Sequence, residues 1–256
     1  MLVRHSLAFL VVLPFFSAIC QTPAPSTFQQ KVALAFNPSG AQLTSVSVSG
    51  SASWISGSQR DTGNLKLQLS ADGSTNETWS LSTEGRSYVK GPLGSPDLGR
   101  VCSYTDAKGS QHPLDGPNCL RAIPWFFPSF AIHPTNVAVS SVVDSTDAAA
   151  SNQGLKKITY KVVIPTPPST RSDVLETFAK LQDATAETIY YDSENALPKK
   201  LVYEQMSDAD QSKGIEISVE FSDYRAESGF MIPHEIRQYV QRTLQLDFHV
   251  SEVAIH

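Results

Sequence analysis

The feature that most constrains this chain is a two-residue alternation of apolar and polar side chains that recurs along most of its length. Val46, Val48, Gly50, Ala52 and Trp54 alternate with Ser47, Ser49, Ser51 and Ser53. Leu65, Leu67 and Leu69 alternate with Lys66 and Gln68, and Ile158, Tyr160, Val162 and Ile164 do the same further on. Ile215, Ile217, Val219 and Phe221 follow the rule without error, as do Leu244, Leu246, Phe248 and Val250. Successive side chains of a strand point to opposite faces, so each run reads as a strand with one buried face. Links such as Asp72-Gly73 are tight-turn sequences. Half-buried strands joined this way form an antiparallel meander rather than a parallel sheet. Further strands are expected near residues 77–83, 86–90, 137–143, 188–192 and 200–206, for a total of about ten or eleven.

Helical spacing is confined to short stretches. Phe28, Val32 and Ala35 share a face over residues 28–36, which Pro38-Ser-Gly40 ends. Val174, Leu175, Phe178 and Leu181 mark a helix over residues 172–183, with Ser172 as its expected N-cap. Residues 120–130 (LRAIPWFFPSF) are apolar and aromatic, but Pro128 would break a long helix. A short helix or helical turn there would present Trp125, Phe126, Phe127 and Phe130. The expected class is α+β, mainly antiparallel β, with two or three helices.

Composition decides what the chain is not. Its 256 residues are 41% hydrophobic and 18% charged, which supplies a substantial core and argues against general disorder. The formal net charge is −5, and basic residues form no run beyond Lys156-Lys157 and Lys199-Lys200, so a nucleic-acid footprint is not expected. No stretch reaches the roughly 18 apolar residues of a membrane span.

The first twenty residues have the three parts of a secretory signal peptide: a basic start at Arg4 and His5, an apolar run over residues 7–16, and small residues after it. Ala18 and Cys20 suit the −3 and −1 positions of a cleavage after Cys20. The alternative is a lipoprotein signal with Cys20 acylated, although Ile19 is large for that processing. The chain then divides into a signal peptide (1–20), a polar, Pro-containing leader (21–27) and one domain (28–256). Export places the protein in an oxidising compartment, where Cys102 and Cys119 are expected to pair around a hairpin turning at residues 106–109.

The last third carries a resemblance. Tyr190-Tyr-Asp192, Leu197-Pro198 and Leu201-Val-Tyr203 are similar to the strand, Asp, proline turn and strand of LolA-like (LolA/RseB-like) periplasmic proteins. Phe221-Ser-Asp-Tyr-Arg225 followed by Gly229-Phe-Met-Ile-Pro233 resembles the same family's later signature. Cys102, Asn118-Cys119 and Trp125-Phe-Phe-Pro128 are also similar to a pattern in exported bacterial proteins of uncharacterised role. The resemblance implies an antiparallel sheet curled into an unclosed half-barrel, with the helices on its concave side. It also implies carriage of lipids or lipoproteins, or sensing of envelope signals. These are fold signatures, and they bring no ligand-handling residues with them.

No catalytic residue, metal site or cofactor is expected. There is no G-x-S-x-G. His234-Glu235 opens like a zinc-protease motif, but Gln238 stands where the second His is needed. Two apolar clusters are the candidate site: Trp54, Leu65, Leu67 and Trp79 on the first sheet half, and Trp125, Phe126, Phe127 and Phe130 as a plug. They are either ordinary core or the walls and displaceable plug of an acyl-chain cavity. The expected function is a non-enzymatic exported protein, periplasmic or outer-membrane-associated, that binds a lipid or an acylated protein. The alternative is an envelope interaction or sensor module with a packed core. Partners would be a lipid, a lipoprotein or an envelope protein, with peripheral membrane contact compatible with either.

Overall fold

The computed structural model describes residues 27–92, 102–114, 117–121, 123–128, 137–144, 154–162, 170–206 and 214–256. The expected signal peptide and residues 21–26 of the leader lie outside them. Helix α1 (Thr27–Phe36) opens the described chain, one residue ahead of the expected start at Phe28. Six strands follow: β1 (Ser45–Ser56), β2 (Gln59–Ser70), β3 (Thr75–Leu81), β4 (Gly85–Lys90), β5 (Cys102–Thr105) and β6 (Gln111–Pro113). Then come α2 (Pro117–Leu120), β7 (Val137–Asp144), β8 (Leu155–Val162) and α3 (Ser172–Ala184). The chain ends with β9 (Glu187–Asp192), β10 (Pro198–Met206), β11 (Gly214–Glu227), β12 (Phe230–Val240) and β13 (Thr243–Ile255).

All thirteen strands belong to one sheet, in the order β6-β5-β4-β3-β2-β1-β13-β12-β11-β10-β9-β8-β7. Every neighbouring pair is antiparallel. The two short strands of the β5–β6 hairpin bring the expected eleven to thirteen. Each strand pairs with its sequence neighbour, with two exceptions. β1 and β13 join the two ends of the meander at the centre of the sheet, and β6 and β7 form its free edges. Pairing of those edges would close a barrel, so the sheet is an unclosed half-barrel whose one seam lies between β6 and β7.

The alternation seen in the sequence is the inner face. Val46 and Val48 of β1, Leu65, Leu67 and Leu69 of β2, Ile217, Val219 and Phe221 of β11, and Leu246 and Phe248 of β13 are buried in one cluster. Val32 and Phe36 place α1 in the same cluster, with the Phe28 ring edge-on to Tyr191 at 6.0 Å and Phe36 5.9 Å from Phe230. Lys31 fastens the helix by donating to the Ser193 and Glu194 carbonyls at the β9–β10 turn. The best periodic helix of the sequence behaves differently. α3 lies beside β8 and α2 and has no buried residue; Leu175 is exposed, and Phe178 and Leu181 are only partly covered. Its N-cap is Arg171, not the expected Ser172, and no side chain caps it: a guanidinium has no acceptor for the free N–H groups, and that of Arg171 pairs with Asp173.

The three expected turn aspartates do the work that turns require. Asp72 accepts from the Ser74 N–H, Asp106 from Lys108 and Ser110, and Asp192 from Glu194 and Asn195. Gly50 sits at the one irregularity of the β1–β13 pairing, where a Cβ would lie 2.0 Å from the His249 carbonyl oxygen. Gly50→Ala is therefore expected to lower stability by about 1–3 kcal/mol through backbone displacement at the sheet centre. Denaturant unfolding checks this, and an unchanged midpoint would mean that the two strands separate at no cost.

Candidate functional site

The aromatic segment belongs to the stretch of chain that runs from β6 to β7, the two edge strands of the sheet. α2 ends at Leu120, the first residue of the stretch expected to be helical, and residues 123–128 follow as turns. Pro124 and Pro128 explain this, since neither can donate a helical hydrogen bond. The segment is held from both arms of the sheet. On one side the Trp125 indole N–H donates to Glu77 Oε1 of β3 at 2.9 Å. On the other, the Ile123 N–H donates to Glu187 Oε2 of β9 at 3.0 Å. Asn118 exchanges two hydrogen bonds with the backbone of Met206 at the end of β10. Cys102 of β5 is disulfide-bonded to Cys119 of α2, which ties the start of the segment to the β5 edge.

Leu65, Leu67 and Phe126 are completely buried, Phe127 is 2% exposed and Trp79 4%. Trp54 and Trp125 are half-buried. Phe130 lies outside the described residues. Trp125, Phe126 and Phe127 form a chain of edge-on rings at 5.2 and 5.1 Å. Trp54 and Trp79 meet edge-on at 5.3 Å. The two apolar clusters of the sequence thus share one interior, joined by the Trp125–Glu77 bond. A cavity of about 360 Å³ opens elsewhere, lined by Leu155, Lys199, Lys200, Glu220, Phe221, Ser222 and Arg237. Its charged lining does not suit an acyl chain.

Sequence reasoning missed the charged groups of this interior. Glu77 is buried, and burial pushes its carboxyl above the ordinary carboxylate range. Glu187 and Arg121 are buried as well. The Arg121 guanidinium lies 4.5 Å from the Tyr203 ring centre and donates to Asn118 Oδ1. Arg86 of β4 stacks on Trp54 and Trp79, at 4.6 and 5.1 Å from their ring centres. Parity was the available signal for Glu77. It stands two residues before Trp79 on one strand, so an inward Trp79 makes Glu77 inward too.

The raised Glu77 pKa gives a pH dependence of known sign. The folded protein holds this proton more tightly than the unfolded chain. The contribution of Glu77 to stability is therefore greatest below the ordinary carboxylate pKa, and it falls as pH rises through the folded value. Glu77→Gln keeps an acceptor for Trp125 and removes the buried charge. Its stability is expected to equal or exceed that of the natural protein at neutral pH, with a flatter profile above pH ~4.5. Urea unfolding at several pH values tests this; a variant that loses stability only at neutral pH would contradict it.

His112, His234 and His249 are committed to local contacts. His112 pairs with Asp106 at 3.1 Å and stacks on Tyr104, and His234 bridges the Val250 carbonyl and Glu227. The sheet does gather Glu235, Asp247 and His249 on neighbouring strands. Arg237 already pairs with both carboxylates, so the group is an ion-pair network on the sheet surface.

No family model matches the sequence, and no curated protein matches it. Solved structures do. A putative outer membrane lipoprotein-sorting protein domain from Vibrio parahaemolyticus aligns at 9% identity and TM-score 0.49, over 90% of this chain and 91% of that one. A LolA superfamily protein from Nitrosomonas europaea aligns at 10% identity and TM-score 0.49, over 90% and 92%. A DUF1329 family protein from Desulfovibrio piger aligns at 8% identity and TM-score 0.50, over 89% and 91%. At such identities the likeness is one of fold alone. The chain has the unclosed, helix-lined antiparallel half-barrel that its LolA-like sequence signatures implied, and it shares that fold with the DUF1329 protein over nearly its whole length.

Proposed function

We propose that this is an exported, non-catalytic binding protein that takes an apolar chain, a lipid or the acyl group of a lipoprotein, into its half-barrel. Entry is through the seam between β6 and β7, and residues 123–128 withdraw to make room. One observation carries the reading. Between the two arms of the unclosed sheet, the inner cluster includes Phe126 and Phe127 from a non-helical segment that is tied to β3 on one arm and to β9 on the other. Such a segment leaves without breaking any strand pairing. Its described polar ties to the sheet are the bonds to Glu77 and Glu187. The names of the lipoprotein-sorting and LolA superfamily neighbours agree with this direction without adding weight to it. Export follows from the signal-peptide pattern of residues 1–20 and is consistent with the Cys102–Cys119 disulfide. None of the described helices is long and apolar enough to cross a membrane.

A second reading, an envelope interaction or sensor module with a permanently packed core, draws on the complete burial of Phe126, Leu65 and Leu67. Native mass spectrometry of the protein purified from an envelope extract separates the two. The binding reading expects a co-purifying lipid of several hundred daltons, and the same spectrum reports whether the chain begins at Gln21. A bare chain in company with one stoichiometric protein would put the interaction module first.

A further inference from the structure

The half-barrel interior contains a cation with two unmade donors. Arg86 lies on the inner face of β4, opposite Trp79 of β3, and Trp79 in turn lies opposite Leu65 of β2. Its guanidinium is held against the faces of Trp54 and Trp79. Nε and Nη2 are buried and make no hydrogen bond. Nη1 faces Glu84 Oε1 at 3.6 Å, too far for a hydrogen bond. The other acid of this region, Glu77, accepts from the Trp125 indole at Oε1 and attracts Arg86 through space without a hydrogen bond to Nε or Nη2. Buried donors left unmade are costly, and folded proteins satisfy nearly all of them. Nε and Nη2 form one edge of the guanidinium fork, with the spacing that receives two oxygens of a carboxylate or phosphate. The stacked indoles hold that edge in place, and the row Trp79–Leu65 leads from it into the apolar interior.

Building on the proposed binding function, we propose that Arg86 is the headgroup subsite, and that the ligand is an anionic amphiphile with a carboxylate or phosphate head and a single acyl chain. The head takes the Nε–Nη2 edge. The chain runs past Trp79 and Leu65 toward the space vacated by Phe126. Glu77, on the same face as Trp79, connects this subsite to the plug through Trp125.

The test titrates the mature protein with dodecanoate, dodecyl phosphate and dodecanol, each below its aggregation concentration, by isothermal titration calorimetry. Both anions are expected to bind about tenfold or more tightly than the alcohol, the scale of hydrogen bonds to a charged group. The tighter of the two identifies the headgroup. Arg86→Gln is expected to abolish the preference of the anions over the alcohol, and Arg86→Lys to restore part of it. Equal affinity of the natural protein for all three would overturn the headgroup subsite and leave the binding function standing. Binding of none would overturn both. The three-ligand comparison on the natural protein holds even if a variant fails to fold.

Discussion

Phe126→Ala is expected to cost about 3–5 kcal/mol of stability, the range for deleting a fully buried aromatic ring. For a chain of this size the melting temperature should fall by on the order of 10 °C. Phe126 is completely buried and lies edge-on to both Trp125 and Phe127, so its loss leaves a hole lined by rings and inner-face aliphatic side chains. An apolar hole of that kind stays dry and accepts apolar molecules. The variant should therefore bind dodecanol more tightly than the natural protein does, even as it unfolds more easily. Thermal unfolding with and without the alcohol measures both effects. A stability loss with no gain in binding would mean that the ring is plain core.

Removal of the disulfide has the next largest expected effect. Cys102 and Cys119 are 17 residues apart, and a loop of this size contributes roughly 3 kcal/mol on the chain-entropy model. Cys102→Ser with Cys119→Ser should lower stability by about that amount. The effect should also be local. The bridge ties α2 to β5, while Asn118 ties it to β10, so without the bridge the aromatic segment is anchored more strongly to one arm than to the other. Limited proteolysis should cut near residues 120–128 in the variant before it cuts the sheet. Uniform cleavage would show that the bridge stabilises the whole domain without bearing on the plug.

Much of this architecture was legible because strand parity and turn chemistry are local. The Asp-Tyr and Gly-Pro signature has a plain backbone meaning here. Asp223 takes φ 51° where the β11–β12 pairing skips a residue, and Ser228 and Gly229 take φ 48° and 88° in the two-residue turn that follows. Pro233 stands opposite Tyr224 next to that irregularity, where a missing N–H is tolerated. The β12–β13 turn was harder to see, because Gln241 and Arg242 adopt positive φ without a glycine to announce it. Helix α3 shows the opposite failure. Its apolar spacing was clear, yet periodicity says only which face would be buried and not whether anything covers it.

The site was less legible than the fold. Inward aromatics could be read from alternation, and the Cys pairing from the compartment. The seam could not, since the strand order that separates β6 from β7 is a property of the whole sheet. Arg86, Arg121 and Glu187 were passed over because charged residues are usually solvated, and only the fold shows that these face inward. Glu77 was within reach from parity, but its tie to Trp125 spans 48 residues and is seen only in the folded chain.

The central claim is that residues 123–128 withdraw when an apolar chain enters. The Ile123 amide reports on this directly, because it is buried and donates to Glu187. Hydrogen–deuterium exchange of the mature protein, alone and saturated with dodecanoate, would follow that amide beside the amides of the sheet. The account predicts that ligand speeds exchange at Ile123 and its neighbours while β1 and β13 keep their protection. Equal or slower exchange at Ile123, with ligand demonstrably bound, would contradict it and would mean that the chain is held somewhere other than behind the aromatic plug.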